Sequence, residues 1–483
     1  MRYKVLSVAS EVYPFIKTGG LADVAGALPL ALAELGMEVK TLLPFYPEVA
    51  RAIPRDATTV VFEMEDLFGG PARIRSAKAA GLDVLLIDAP HLYDRPGGPY
   101  VTTAGQEHPD NWARFAALGR VGAMIGQGAS GWQPDILHAH DWQAALAPVY
   151  LSFSGGPRPK TVVTIHNLAF QGNYPREILP GLNLPSTAWS LEGLEYYGSV
   201  GFLKGGLHAA DAVTTVSPTY AEEIVTPEGG MGLDGLLRGR SNRLVGIVNG
   251  IDTAVWDPGA DPMIPAHYGA KTLKNRAANK RAVEAEFGLA PGDGPIFAVV
   301  SRLTWQKGMD VLAGLCDDMV AMGVRLAVIG SGEPLIEGAF HAAHARHPGE
   351  IGVRIGYSEP LSHQLQAGAD GLLIPSRFEP CGLTQLYALR YGCVPIVSKV
   401  GGLADTVIDA NYAAVVAKVA TGIIVDEVAS APLLDAIDRA RRLYDDAPVW
   451  QAMQSRGMAT DVGWTASAAR YKDLYASLLK DRP

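Results

Sequence analysis

A loop that carries a glutamate and a glycine offers specific chemistry in this sequence. The apolar run 371–374 predicts a strand, and a helical pattern begins at about Leu383. Glu379 and Gly382 therefore lie where a parallel strand passes into a helix, which is where doubly wound sheets bind ligands. The Glu379 carboxylate can accept from ligand hydroxyls while backbone N–H groups hold an anion. A sugar phosphate fits both; alternatively, Glu379 only caps the helix.

Two cations follow the first predicted strand in the second half of the chain. Arg302 and Lys307 lie between a strand predicted over 296–301 and a helix predicted from Met309. Arginine can contact phosphate through two N–H groups and lysine adds a point charge, so the pair can hold a diphosphate. The alternative is a pair of solvated loop cations. Their position at the end of a strand favours phosphate.

A lysine and two glycines follow the first predicted strand of the chain. Lys17, Gly19 and Gly20 precede a helix predicted over 21–35. The glycines let the backbone approach a bound group, whose charge Lys17 can neutralise. The spacing differs from the glycine pattern of dinucleotide sites. A helix-entry turn with a solvated lysine is the alternative.

Histidines stand at the ends of two further predicted strands. His138, His140 and Asp141 follow one strand, and His166 and Asn167 end the next. Strand alternation places the first two histidines on the same side, but no further metal ligand lies at a supporting spacing. Asp141, His166 and Asn167 can instead present donors and acceptors to a polyhydroxylated ligand. The alternative is a set of buried histidines that bond to the backbone.

Strands that alternate with helices position these side chains. The pattern predicts an α/β protein with two doubly wound domains and parallel sheets. A change of pattern near Asn249 marks the boundary. We expect an N-terminal domain over 1–245, a second domain over 246–456 and a C-terminal helix within 457–483.

Composition limits the partners. The chain has 483 residues, 48% of them hydrophobic, and a net charge of −9. That charge argues against nucleic acid or an anionic membrane as the main partner. The three cysteines are too scattered for a disulfide framework or a structural zinc site. With no signal peptide or membrane-spanning run in the sequence, we expect a cytoplasmic protein.

Several stretches together resemble one family. They are KTGGLADV from Lys17, HAHDW from His138, IHNLAFQG from Ile165, VNGID from Val248, SRLTWQKG from Ser301 and PSRFEPCGL from Pro375. They are similar to motifs of the bacterial glycogen synthases and their plant starch synthase relatives. The resemblance covers nearly the whole chain, and no motif position departs from it. It implies the GT-B fold: two Rossmann-like domains that face each other across a cleft, with the segment from about Thr460 crossing back to the N-terminal domain.

The resemblance also implies an activity and its substrates. The family transfers glucose from ADP-glucose to the non-reducing 4-hydroxyl of an α-1,4-glucan, such as glycogen or maltooligosaccharides, with retention of configuration. Arg302 and Lys307 would hold the diphosphate and stabilise the leaving ADP. Gly19 and Gly20 would add N–H groups, and Lys17 a charge near the diphosphate or the acceptor. Tyr357 would lie on the adenine side.

The remaining roles concern the transferred sugar. Glu379 would contact the glucosyl ring, and His166 would lie near the reacting carbon. Other positions in the matching motifs would bind sugar hydroxyls, phosphate or acceptor: these are Asp23, Asp141, Asn167, Asn249 and the backbone of Cys381, Gly382, Leu383 and Thr384.

No metal or cofactor is expected, since the chain has no Asp-x-Asp and cations can bind the phosphates. Retention can proceed through a covalent carboxylate intermediate, or by a front-face route in which the leaving phosphate takes the acceptor's proton. Because no second carboxylate is well placed to pair with Glu379, we favour the front-face route. The alternatives for the whole protein are a relative that uses UDP-glucose and an inert glucan-binding scaffold.

Overall fold

The computed structural model describes residues 3–156 and 158–480, and these residues divide into two compact units. The first unit holds the described residues up to Asn249 together with those from Trp464 onward, and the second unit is Gly250–Gly463. The domain bounds 1–245, 246–456 and 457–483 remain predictions from the sequence.

Most of the first unit is one sheet covered by helices. The strands of the whole unit are β1 (Lys4–Val8), β2 (Glu38–Pro44), β3 (Thr59–Met64), β4 (Ala72–Ala79), β5 (Leu82–Asp88), β6 (Ile136–His140), β7 (Lys160–Ile165), β8 (Asn173–Tyr174), β9 (Glu195–Tyr196), β10 (Ser199–Gly201), β11 (Ala212–Thr215) and β12 (Leu244–Gly246). Its helices before the second unit are α1 (Gly20–Glu34), α2 (Pro47–Ala52), α3 (Pro90–Tyr93), α4 (Asn111–Gly126), α5 (Asp141–Ala144), α6 (Leu146–Phe153), α7 (Phe202–Ala209), α8 (Pro218–Glu223) and α9 (Asp234–Gly239).

The order of the strands explains where the first unit can bind a ligand. Within the described residues, nine strands form a sheet in the order β12-β11-β7-β6-β1-β2-β5-β4-β3. β1 pairs in parallel with both β2 and β6, and the chain order reverses between β1 and β6. Ligands bind at such a reversal, beyond the carboxyl ends of the strands. The loop before α1 and the start of α5 both lie there.

One edge of this sheet differs from the prediction of a parallel sheet. β4 pairs antiparallel with both β3 and β5. β3 and β4 were not predicted from the sequence, and the prediction of a parallel sheet is wrong at this edge. Residues 65–71 connect β3 to β4, with Gly69 at a φ of +97°. So short a connection can join only antiparallel strands. β8, β9 and β10, which form a small separate antiparallel sheet, were also missed.

The second unit has a single parallel sheet. Its strands are β13 (Ile296–Val300), β14 (Arg325–Gly330), β15 (Ile351–Ile355), β16 (Gly371–Ile374), β17 (Val394–Ser398) and β18 (Ile423–Val425). Its helices are α10 (Arg276–Phe287), α11 (Met309–Gly314), α12 (Cys316–Ala321), α13 (Pro334–Arg346), α14 (Glu359–Gly368), α15 (Thr384–Tyr391), α16 (Gly401–Thr406), α17 (Tyr412–Val416), α18 (Ser430–Asp445) and α19 (Ala447–Ala459). The order within the described residues is β15-β14-β13-β16-β17-β18, so the reversal lies between β13 and β16.

The C-terminal helix, α20 (Trp464–Lys480), belongs to the first unit. Tyr471 and Tyr475 are fully buried in an apolar cluster that also contains Val24 and Leu28 of α1. Burial of large aromatic side chains contributes strongly to stability, so the end of the chain is an integral part of this unit. Of the helices in the described residues, none is both long and apolar enough to cross a membrane.

Candidate active site

Two neighbouring loops form the candidate site of the second unit. β13 pairs with β16 in parallel, so the loops that follow them leave the same edge of the sheet. The Arg377 N–H donates to the Gln306 carbonyl oxygen at 2.9 Å and ties the loops together. Gly308 has a φ of +68°, and an added Cβ would lie 1.9 Å from the Pro375 carbonyl oxygen. The close approach of the loops therefore requires glycine there.

Lys307 and Glu379 meet across these loops. The Lys307 Nζ forms an ion pair with Oε2 of Glu379. Ser376 Oγ donates to the same oxygen at 2.9 Å. Glu379 is only 8% exposed, and these two donors offset the cost of burying its charge. The structure thus brings together two side chains that the sequence analysis predicted for one site.

Arg302 lies exposed in the first of the two loops. Its Nη2 donates to Gln306 Oε1 at 3.0 Å, and it forms no ion pair with a carboxylate of the described residues. Its charge is therefore available to an anion. Tyr357, which follows β15, is 72% exposed and can offer its ring to a planar group.

The loop before α15 turns its carbonyl groups inward. The Gly402 N–H donates to the carbonyl oxygen of Glu379 at 3.1 Å, and Gln385 Nε2 donates to the Cys381 and Gly382 carbonyl oxygens at 2.9 Å each. α15 begins at Thr384, and the first N–H groups of a helix have no partner within it. Engaged carbonyl groups, together with the first N–H groups of the helix and the positive end of its dipole, favour an anion at this end of α15.

Cys381 and Leu383 complete this loop. The Cys381 side chain is buried, and Leu383 is the residue that caps α15. Leu383 also packs against a small apolar cluster that includes Leu386 and Leu389 of the same helix. Both side chains anchor the loop, so a ligand would meet its backbone.

The loop before α1 is held by a carboxylate that the sequence analysis did not single out. Glu11 follows β1 and is buried, and it accepts hydrogen bonds from the Thr18 N–H and, at 3.1 Å, from the Tyr100 hydroxyl. Burial raises the pKa of Glu11, and these bonds partly oppose the rise. Its place just after a strand was the available signal. Its partner Tyr100, some 89 positions away, could not be found from the pattern.

Lys17, Gly19 and Gly20 have different surroundings in this loop. Lys17 forms an ion pair with Asp23 at 2.8 Å, so these two predicted residues contact each other. Gly19 has an extended backbone and nothing within 4 Å of an added Cβ, and Gly20 is the first residue of α1. Open space beside the start of a helix lets a ligand approach the N–H groups.

His138, His140 and His166 form a row at the ends of β6 and β7, and we call them the histidine row. The His138 and His140 rings lie 4.2 Å apart, which confirms that they share a side. Nδ1 of His140 lies 3.0 Å from Nε2 of His166. Nε2 of His140 lies 3.2 Å from Ser7 Oγ. His138 bonds to the hydroxyl of Tyr475 at 2.8 Å and to Thr164 at 2.5 Å.

Burial keeps the histidine row neutral. It lowers the pKa of His140 to about 3 and holds the pKa of both His138 and His166 well below the ordinary value. Neighbouring histidines would also repel an added proton. The hydrogen bonds of these histidines run mainly to side-chain hydroxyls and between the rings. The alternative of buried histidines that bond to the backbone predicted other partners. Within the described residues, no group of His, Cys, Asp and Glu is arranged to hold a metal ion.

Asp141 supports the loop that carries His166. It is buried, it has a left-handed φ of +57°, and its Oδ1 accepts from the His166 N–H at 2.7 Å. Burial raises the pKa of Asp141 to about 7, although N–H groups of His166 and Asn167 lower it. The Asn167 side chain accepts from the Ala169 N–H at 3.0 Å. Asp141 therefore acts on the backbone, and the His166 side chain, though mostly buried, keeps some exposed surface for a ligand.

Asn249 is the last residue of the first unit before the chain enters the second. It is 6% exposed, and its Oδ1 has no hydrogen-bond partner among the described residues. A buried acceptor without a partner is costly, which is consistent with a ligand donor at this position.

Residues 4–239 match the family model described as the starch synthase catalytic domain, and residues 281–448 match that of group 1 glycosyl transferases. Together with the two doubly wound sheets, these matches define a two-domain glycosyltransferase of the GT-B class. The chain is 57% identical over 477 residues to a glycogen synthase of Rhizobium leguminosarum bv. trifolii, covering 99% of each chain. It is 56% identical over 485 residues to a glycogen synthase of Novosphingobium aromaticivorans, covering 100% of each.

A solved structure extends this comparison. The catalytic domain of starch synthase IV from Arabidopsis thaliana, bound to ADP and acarbose, has a TM-score of 0.87 and 30% identity, with 99% of this chain and 100% of that chain covered. The chain therefore belongs to the glycogen and starch synthase family. This confirms the resemblance, the GT-B fold and the glycosyltransferase class inferred from the sequence.

Proposed function

We propose that the protein elongates an α-1,4-glucan by transferring glucose from ADP-glucose to the non-reducing 4-hydroxyl, with retention of configuration. The observation that carries this proposal is the ion pair of Lys307 with Glu379 at the strand reversal of the second unit, where the loop of Lys307 also carries Arg302. Relatives that carry the name glycogen synthase support the glucan as acceptor. The starch synthase structure that holds ADP supports the nucleotide.

The second unit binds the donor in this proposal. Arg302 and the start of α15 bind the diphosphate, and Lys307, which contacts Glu379, adds its charge there. Glu379 then accepts hydrogen bonds from glucosyl hydroxyls, and Tyr357 lies beside the adenine. As ADP leaves, negative charge grows on the phosphate, so fixed cations stabilise the transition state more than the bound donor.

The first unit binds the sugar and the acceptor in this proposal. His166 lies beside the glucosyl residue, with Asp141 and Asn167 shaping its loop. Asn249 gives a hydroxyl donor a buried partner. The remaining contacts come from the loop before α1, through Lys17, Gly19, Gly20 and Asp23.

We also propose a front-face route, in which the leaving phosphate takes the proton of the acceptor hydroxyl. Glu11 and Asp141 are buried carboxyl groups of the first unit, and backbone N–H groups already engage both. Hydrogen bonds to a carboxylate weaken it as a nucleophile, so neither group is suited to form a covalent glucosyl intermediate. Arg302 and Lys307 supply the positive charge at the phosphates, so we propose that the reaction needs no metal ion or cofactor.

The three cysteines, Cys316, Cys381 and Cys393, are all buried and form no disulfide within the described residues. Proteins without disulfides are typical of the reducing cytoplasm, and we propose that location.

Protection against thermal unfolding tests the proposed donor. A ligand that binds only the folded state raises the melting temperature by mass action. ADP should raise it more than UDP at equal concentration, and Arg302→Ala should reduce the ADP effect. Greater protection by UDP would favour a relative that uses UDP-glucose. No protection by either nucleotide would favour an inert scaffold.

A further inference from the structure

We propose that Ser7, His140 and His166 form a hydrogen-bond relay that holds His166 in the tautomer with its proton on Nδ1. Ser7 and His140 are positioning residues in this relay. The proposal concerns the first unit alone, and its meaning for catalysis rests on the proposed function of His166.

The relay follows from two measured contacts. Nε2 of His140 lies 3.2 Å from Ser7 Oγ, and Nδ1 of the same ring lies 3.0 Å from Nε2 of His166. Both nitrogens of His140 are therefore engaged by side chains. Ser7 and His140 are buried, with 4% and 1% exposure, so water does not compete for these contacts.

The neutral state of both rings couples their tautomers. A neutral imidazole carries one N–H and one acceptor nitrogen. Only one proton can lie between His140 Nδ1 and His166 Nε2. If His140 donates, His166 must carry its proton on Nδ1; if His166 donates, His140 must carry its proton on Nε2, facing Ser7. The hydrogen bond that one ring nitrogen makes thus determines whether the other nitrogen carries the proton.

Ser7 decides between the two arrangements. Among the described residues, Ser7 Oγ has one hydrogen-bond partner, Nε2 of His140. A buried hydroxyl proton without an acceptor is costly, so Ser7 donates to His140 Nε2. His140 then donates from Nδ1 to His166 Nε2. His166 is left with a proton on Nδ1, the nitrogen that neither Ser7 nor His140 engages.

This assignment gives His166 a defined chemical role. Its Nδ1 is a hydrogen-bond donor, so it can bind a sugar oxygen and cannot take a proton from a hydroxyl. With a fixed donor in place, a glucosyl hydroxyl that meets Nδ1 must turn its own proton elsewhere. The relay therefore orients the bound sugar before the reaction begins.

The neighbouring strand offers a matched control. Ser7 of β1 is paired in register with Thr41 of β2. Thr41 is 1% exposed, and its Oγ1 has no hydrogen-bond partner among the described residues. Thr41→Val removes a buried hydroxyl from the strand beside Ser7, and this hydroxyl forms no hydrogen bond with any residue of the relay. Ser7→Ala removes the proposed donor, and Ser7→Thr keeps it.

Nitrogen NMR of protein labelled with ¹⁵N-histidine tests the proposal without an activity assay. The His166 signals are assigned by their loss in a His166→Asn variant. We expect the parent, Thr41→Val and Ser7→Thr to show His166 protonated on Nδ1, and Ser7→Ala to show a mixture of the two tautomers. A parent protonated on Nε2, or an unchanged tautomer in Ser7→Ala, would overturn the proposal.

Kinetics then link the relay to the reaction. One neutral hydrogen bond shifts a population by roughly tenfold or less, so kcat of Ser7→Ala should fall by about two- to tenfold while that of Thr41→Val stays near the parent's. Equal losses in these two variants would mean that Ser7 is merely structural. If the NMR result holds but the parent transfers no glucose, the relay stands and the proposed function fails.

Discussion

Lys307 and Glu379 are 72 positions apart in the chain and form an ion pair across neighbouring loops of the second unit. The pair exists because β13 and β16 are adjacent in the sheet although two strands separate them in sequence. A cation and an anion in contact can each exchange their partner for a charged or hydroxylated ligand. The candidate donor site is therefore assembled around this contact.

Lys307→Ala should lower kcat by roughly 10²- to 10³-fold, the usual effect of losing one contact that stabilises transition-state charge. Steady-state kinetics with ADP-glucose and glycogen would measure it. Lys399→Ala is the matched control, since Lys399 also follows a strand of the second unit but is 63% exposed and pairs with Asp426. Activity of Lys307→Ala within twofold of the parent would remove Lys307 from the phosphate site.

Arg302→Lys should lower kcat/KM by about 10- to 100-fold even though the charge is kept. Lysine cannot reproduce the two parallel N–H groups of the guanidinium, and a hydrogen bond to a charged group contributes about 1.5–3 kcal/mol. Arg442→Lys, on the exposed face of α18, gives the same substitution away from the site. If both variants keep parental kinetics, Arg302 makes no paired contact with the diphosphate.

Gly308→Ala should destabilise the protein by at least about 2 kcal/mol, because its φ of +68° and the Pro375 carbonyl oxygen at 1.9 Å leave no room for a Cβ. Urea denaturation followed by circular dichroism would measure the change. Gly314→Ala is the control, since an added Cβ there has nothing within 4 Å. Equal stability of the two variants would show that the loops do not depend on Gly308.

Asp141→Asn should alter how stability depends on pH. The folded-state pKa of Asp141 is about 7 and its ordinary value is 3.8, so the folded protein binds the proton more tightly. The tighter binding of this proton contributes stability to the folded protein. The contribution is fully present below the unfolded pKa and is lost as the pH rises to the folded pKa of about 7. Relative to the parent, the variant should gain up to about 4 kcal/mol between pH 4 and pH 7, at 1.36 kcal/mol for each pKa unit.

Denaturant titrations of both proteins at several pH values would test this. Asp211→Asn is a useful comparison, because Asp211 also accepts from a backbone N–H at a strand end, that of Thr161 at 2.8 Å. Parallel curves for the parent and Asp141→Asn would show that Asp141 does not carry the raised pKa.

The second-unit site was largely predictable from sequence. β13 and β16 begin at their predicted residues and end within one residue of the predicted ends, and an apolar run followed by charged and glycine residues marks the loop after each. Parallel order then places Arg302, Lys307 and Glu379 at one edge. The ion pair itself was not predictable, because it depends on which strands become neighbours.

Several strands and contacts of the first unit could not be predicted from the sequence pattern. The β3–β4 hairpin was missed because β3 and β4 are the last two strands at one side of the sheet, are only partly buried and lack a long continuous apolar run. The contact between His138 and Tyr475 joins positions 337 residues apart. Ser7 looked like an ordinary strand residue, and only the register of β1 beside β6 gives it a role.

Glucan extension with ADP-glucose against UDP-glucose tests the central claim most directly. Purified protein would be given maltooligosaccharides or glycogen and either donor at equal concentration, and transfer of labelled glucose to the non-reducing end would be measured. The account predicts faster transfer from ADP-glucose, with the new bond in the α configuration and Lys307→Ala strongly impaired. Faster transfer from UDP-glucose, or no transfer from either donor, would contradict it.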